Sequence, residues 1–101
     1  MKRYVKASKM GGNGNAVAIA TEVFGDWFRQ NKHIRIYKQR RGYALKYYTQ
    51  NQSDARNTLG SMYKIADELQ IPVIDSGLST GYLSEGGVMD YLVAYIVVPA
   101  L

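Results

Sequence analysis

Apolar and polar residues change their spacing several times along this chain, and each change marks a predicted element. Tyr4 to Ala7 is short and β-prone and predicts a first strand. Ser8 to Asn15 (SKMGGNGN) is a glycine-rich loop, with Asn13 or Asn15 placed to cap a helix. From Ala16 onward Val17, Ala20, Phe24, Trp27 and Phe28 recur at steps of three and four, as one apolar helix face does. Gly25 weakens this helix and Asn31 ends it. The same periodicity puts Trp27 in the core beside Phe24 and Phe28.

A hairpin comes next. Ile34-Arg35-Ile36-Tyr37 alternates apolar and polar residues, Arg40-Arg41-Gly42 supplies a turn, and Tyr43 to Thr49 is β-rich again. Ser53 or Asp54 then caps a second helix with the stripe Ala55, Leu59, Met62, Ile65, Ala66 and Leu69. Pro72 stops it, and Ile71 to Ile74 forms a short extended piece. Asp75 to Gly87 (DSGLSTGYLSEGG) has loop composition and a length that suits a functional or mobile segment. Val88 to Val98 reads as a long, buried last strand. The order β-α-β-β-α-β predicts an α+β, ferredoxin-like sandwich, with two helices on one face of an antiparallel sheet and a long loop before the last strand. No repeat, low-complexity tract or interior linker divides the chain, so residues 1–101 are expected to form a single domain.

Two helices on one face leave the other face open, and alternation assigns residues to it. Val5 and Ala7 belong with the core, which turns Tyr4 and Lys6 outward; Ile34 and Ile36 point in, so Arg35 and Tyr37 point out. In the last strand Leu92, Ala94, Ile96 and Val98 form the inner row, and Tyr91 and Tyr95 lie on the open one. The strand after the turn has two parities. Leu45 inward exposes Lys46 and Tyr48; the opposite exposes Tyr43 and Tyr47. Either way tyrosines and cations mix on one surface, with Arg40 and Arg41 at the adjoining hairpin tip. Aromatic faces stack on bases and cations neutralise phosphates. The same surface equally suits a protein partner or a second copy of the chain.

Arg41-Gly42-Tyr43-Ala44-Leu45-Lys46-Tyr47-Tyr48 resembles the RNP1 octapeptide of RNA-recognition motifs in its Arg-Gly-Tyr-Ala start and its final Tyr48. It departs from that pattern at Lys46, where the family carries a buried aliphatic. Arg3-Tyr4-Val5 loosely resembles the partner RNP2 segment. The resemblance implies a sheet that binds RNA through its open face.

Composition sharpens these expectations. The net charge is +5, from 13 Lys and Arg against 8 Asp and Glu, which favours an acidic partner such as RNA or DNA. Nine of the 12 aromatic residues are tyrosine, a residue at home in interfaces as well as cores. There is no cysteine, so disulfides, thiolate zinc sites and cysteine nucleophiles are excluded. No apolar run of signal-peptide length comes after the first residues, and Tyr91 to Leu101 falls short of the roughly 20 residues that span a bilayer. A cytoplasmic protein without a membrane partner is expected.

Candidate chemistry is sparse. Gly12-x-Gly14 begins a dinucleotide fingerprint, but Val17 stands at its third glycine and no P-loop is present. Backbone N–H groups at that helix start could hold an anion, or the segment is only a flexible connection. His33 is the only histidine, and the carboxylates Asp26, Asp67, Glu68, Asp75, Glu85 and Asp90 lack metal-site spacing. No metal or cofactor is therefore expected. The expected function is a small basic, non-enzymatic module that contacts nucleic acid or a nucleoprotein through Tyr4, Lys6, Arg35, Tyr37, Arg40, Arg41, Lys46 and Tyr48. The alternative is a protein–protein module, as a homodimer or a small mobile-element inhibitor of a host protein. The third is a metal-independent nuclease using His33 with tyrosines and arginines.

Overall fold

In a computed structural model of the chain, the described residues are 11–83 and 90–101. The expected strand from Tyr4 to Ala7, residues 84–87 of the expected long loop and Val88 at the start of the expected last strand lie outside them. A 3₁₀ turn at Gly11–Asn13 leads into helix α1 (Gly14–Phe24), a second 3₁₀ turn covers Asp26–Gln30, and strands β1 (Ile34–Gln39) and β2 (Gly42–Thr49) come after it. Helix α2 (Gln52–Glu68), β3 (Asp75–Gly81) and β4 (Tyr91–Pro99) complete the order. The class is α+β, two helices against a four-stranded antiparallel sheet. Among the described residues the element order is α-β-β-α-β-β, which differs from the β-α-β-β-α-β order expected from the sequence.

The strands lie in the order β1-β2-β4-β3, every neighbouring pair antiparallel. The turn between β1 and β2 is only Arg40-Arg41, and Gly42 enters β2 hard against β4. A Cβ there would sit 1.9 Å from the Val98 carbonyl oxygen, so no other residue fits without moving backbone. The expected loop at Asp75–Gly87 is corrected over its first half. Residues 75–81 form the edge strand β3, in register with Tyr91–Val97 of β4. The sequence DSGLSTG has weak intrinsic strand preference, but pairing with an apolar central strand overrides it.

α1 is buried through its first two turns, from Gly14 to Ala20, and its alanines allow close packing on several sides. It stops at Gly25, whose φ of 84° is left-handed and whose N–H donates to the Thr21 carbonyl at 2.9 Å. The break resets the helical phase. Phe28 is still buried, but Trp27 is 55% exposed, which corrects its expected place in the core. The first helix therefore ends at Phe24, not near Asn31.

Asn51 caps α2, its side chain accepting from the Asp54 N–H at 2.9 Å, where Ser53 or Asp54 was the expected cap. Gln70, at a φ of 57°, ends the helix before Pro72 is reached, and the Ile71 N–H donates back to the Ala66 carbonyl at 2.8 Å. Both helices pack on one face of the sheet, in a core that joins Ala16–Ala20, Met62 and Ala66 to Ile34, Leu45, Ile96 and Val98. On the opposite face, Tyr48, Leu83 and Val93 form a smaller apolar cluster flanked by Tyr91 and Tyr95.

Candidate functional site

Register decides which side chains share the open face. Leu45 packs with the helices, so Lys46 and Tyr48 take the other side, and β4 turns Tyr91, Val93, Tyr95 and Val97 the same way. Arg35 pairs with Lys46, and Lys46 with Tyr95, which gives one row across three strands. Tyr37 lies two pairs along, at the next position on this face, opposite Ala44. The Lys46 ammonium sits 5.2 Å from the Tyr37 ring centroid, a cation held over an aromatic face. Gln39, Lys46, Asp75, Ser79 and Tyr95 line a shallow groove on this face. Arg40 and Arg41 are exposed at the hairpin tip.

The face differs from expectation at Tyr48. Tyr48 points to the open side but is only 6% exposed, because Leu83 and Val93 pack around it. Its ring is therefore part of a small core and unavailable as a stacking platform. Tyr43 packs with the helices, so the RNP1-like stretch does not present that ring to the open face either. Tyr4 and Lys6 lie outside the described residues. Burial pushes the Tyr48 hydroxyl up to about 12, and the neighbouring Tyr37 hydroxyl contributes to that rise.

Charge is segregated along the chain. From Trp27 to Ser53 there are seven Lys and Arg and no Asp or Glu, and this stretch contains the whole β1–β2 hairpin. From Asp54 onward there are six acids and two cations. The hairpin is thus a basic unit on a moderately basic protein. This acid-free stretch is the sequence signal that would have identified the entire hairpin, rather than its tip, as the electrostatic feature.

Other candidates are absorbed by the fold. The start of α1 is buried against the end of β4, where Asn15 Nδ2 donates to the Pro99 carbonyl at 2.8 Å and Gly12 approaches Tyr43, so it faces protein rather than an anion. His33 Nδ1 lies 3.2 Å from the Tyr48 carbonyl oxygen, and its ring meets the edge of Tyr91 at 5.6 Å. Asp26, Asp67, Glu68, Asp75 and Asp90 are exposed. Among the described residues no group of three or more His, Asp or Glu side chains converges, and no helix is long and apolar enough to cross a membrane.

Sequence reasoning missed a polar knot on the helix side. The Tyr47 hydroxyl donates to Asp54 Oδ2 at 2.6 Å and the Thr49 hydroxyl donates to the same oxygen at 2.9 Å. Burial, with the Asp54 carboxylate beside it, pushes Tyr47 up to about 12. No known protein family, curated protein or solved structure matches this chain, so its chemistry is the guide to its function.

Proposed function

We propose that this chain is a non-enzymatic binding module that holds single-stranded nucleic acid, free or in a nucleoprotein, against its basic hairpin and open sheet face. The observation that carries this reading is the acid-free hairpin. Its Arg35 and Lys46 stand in register with Tyr95 of β4, Tyr37 is the next β1 residue on that face, and Arg40 and Arg41 project at the tip. Such a surface offers cations to phosphates and ring faces to bases, which is how sequence-tolerant single-strand binders work. Lys32, which accepts the Arg35 Nε–H on its carbonyl at 2.9 Å, extends the basic strip toward the other end of β1.

The test separates charge from stacking. Binding of a fluorescent single-stranded RNA or DNA oligonucleotide is measured by anisotropy over a range of salt. Replacing Arg40 and Arg41 together by Ala should flatten the slope of log K against log salt by about 0.7 for each lost phosphate contact. Tyr37→Ala should weaken binding by about 1–3 kcal/mol and leave the slope nearly unchanged. Lys64→Ala, on α2, should change neither. If the wild-type protein binds neither RNA nor DNA at low salt, the nucleic-acid reading fails and the face passes to a protein partner.

A further inference from the structure

Trp27 is the least expected exposed residue in the fold, and it stands beside a groove on the helix side of the molecule, away from the open sheet face. The groove holds about 350 Å³ and lies between Phe24 and Trp27 on one wall and the early turns of α2 on the other. Asp54, Asn57 and Ser61 line the α2 side, and Tyr47 joins them from the sheet. Among the described residues its lining contains one carboxylate and no Lys, Arg or His, in a protein whose net charge is +5.

Both walls are held in place. The Trp27 ring folds back over Gly25, where a Cβ would come within 3.2 Å of the indole Cδ1 and Nε1, and Gly25 has the left-handed φ of 84°. Opposite it, the hydroxyls of Tyr47 and Thr49 donate to the same oxygen of Asp54, Oδ2, which anchors through that oxygen the carboxylate lining the groove. Phe24 and Tyr47 pack behind, with ring centroids 5.4 Å apart and planes tilted by 35°. A large aromatic surface is left half in water beside an oriented negative charge. An anion is repelled there, and a purely apolar group would strip water from Asp54 without compensation.

We infer that this groove is a binding site for a guanidinium group, the side chain of an arginine presented by a partner peptide. A guanidinium is planar and weakly hydrated, stacks on a tryptophan face, and keeps its N–H groups in the ring plane for a carboxylate at the edge. The Asn57 and Ser61 side chains add neutral acceptors along the same wall. An ammonium group would satisfy Asp54 but lose the stacking. The site is independent of the proposed nucleic-acid surface.

The probe is N-acetyl-arginine amide titrated into the full chain, read by the emission of Trp27, the only tryptophan, and by NMR shifts of the Trp27 indole and Asn57 amide. Saturable changes at both are expected, with a weaker response to the lysine amide and none to the uncharged citrulline amide. Asp54→Asn keeps an acceptor for Tyr47 and Thr49 and should weaken binding about five- to tenfold, the difference between a charge-assisted and a neutral contact. Should that variant lose its fold, Asn57→Lys, a change at an exposed helix position, should abolish binding by placing a cation in the groove. Arg40→Ala with Arg41→Ala should leave arginine binding intact. No saturable change, an equal response to citrulline amide, or unchanged binding in a folded Asp54→Asn or Asn57→Lys variant would overturn the inference.

Discussion

Gly42→Ala puts one methyl group where β2 crosses closest to β4. The new Cβ would lie 1.9 Å from the Val98 carbonyl oxygen, 2.8 Å from its carbon and 2.9 Å from the Pro99 Cα, all of them backbone atoms. The first contact is more than an ångström short of the 3.0 Å that real Cβ atoms keep, and no rotamer relieves it. Strand β2 must move off β4, which disturbs the Gly42–Pro99 and Tyr43–Val98 pairs and the tight turn to Gln39. Overpacking costs about 1–3 kcal/mol and each impaired ladder bond about 1 kcal/mol, against a gain of about 0.4–1 kcal/mol from a stiffer unfolded chain. The net loss is about 2–4 kcal/mol. At about 4–8 °C per kcal/mol for a domain of this size, Tm should fall by roughly 10–25 °C. Gly60→Ala is the internal control. It lies exposed within α2 with nothing inside 4 Å of its Cβ, so it should raise stability by about 0.5–1 kcal/mol. Calorimetry of the two variants reads both signs. A Gly42→Ala protein melting within about 2 °C of wild type would refute the strand register at the hairpin.

Burial leads to two further outcomes. Tyr47 and Tyr48 are each held up to about 12, above the ordinary 10, so the native state keeps protons that the unfolded chain releases. Stability should be intact below pH 10 and decline progressively as pH rises from 10 to 12, and Tyr48→Phe should make that decline shallower in chemical denaturation. Met62 is fully buried where α2 meets the sheet, so Met62→Ala should cost about 2–5 kcal/mol by urea unfolding; a loss below about 1 kcal/mol would place it outside the core.

Alternation and helical spacing carry much of this fold in the sequence. Ile34 and Ile36 inward with Arg35 and Tyr37 outward, the Ala55–Met62–Ala66–Leu69 stripe of α2, and the inner row of Ala94, Ile96 and Val98 all come from local pattern, and all are realised. Of the two parities open for the strand after the turn, the fold takes Leu45 inward. In each element one face is apolar and the other polar, so period alone assigns it. The acid-free stretch from Trp27 to Ser53 is equally a property of the sequence.

Tertiary structure decided the features that depend on partners distant in sequence. The segment from Asp75 to Gly81 is a strand because β4 supplies its hydrogen bonds, and nothing in DSGLSTG announces that neighbour. Tyr48 faces the open side as its parity requires, yet Leu83 and Val93 bury it, and only the folded chain brings them together. Trp27 keeps helical spacing in the sequence, but the left-handed Gly25 rotates the turn at Asp26–Gln30 and leaves the indole in solvent. That rotation also makes the groove opposite Asp54, whose anchoring hydroxyls arrive from β2. Local period records which face of an element is apolar, whereas pairing, breaks in phase and side-chain cover depend on contacts between elements, which no short window of residues contains.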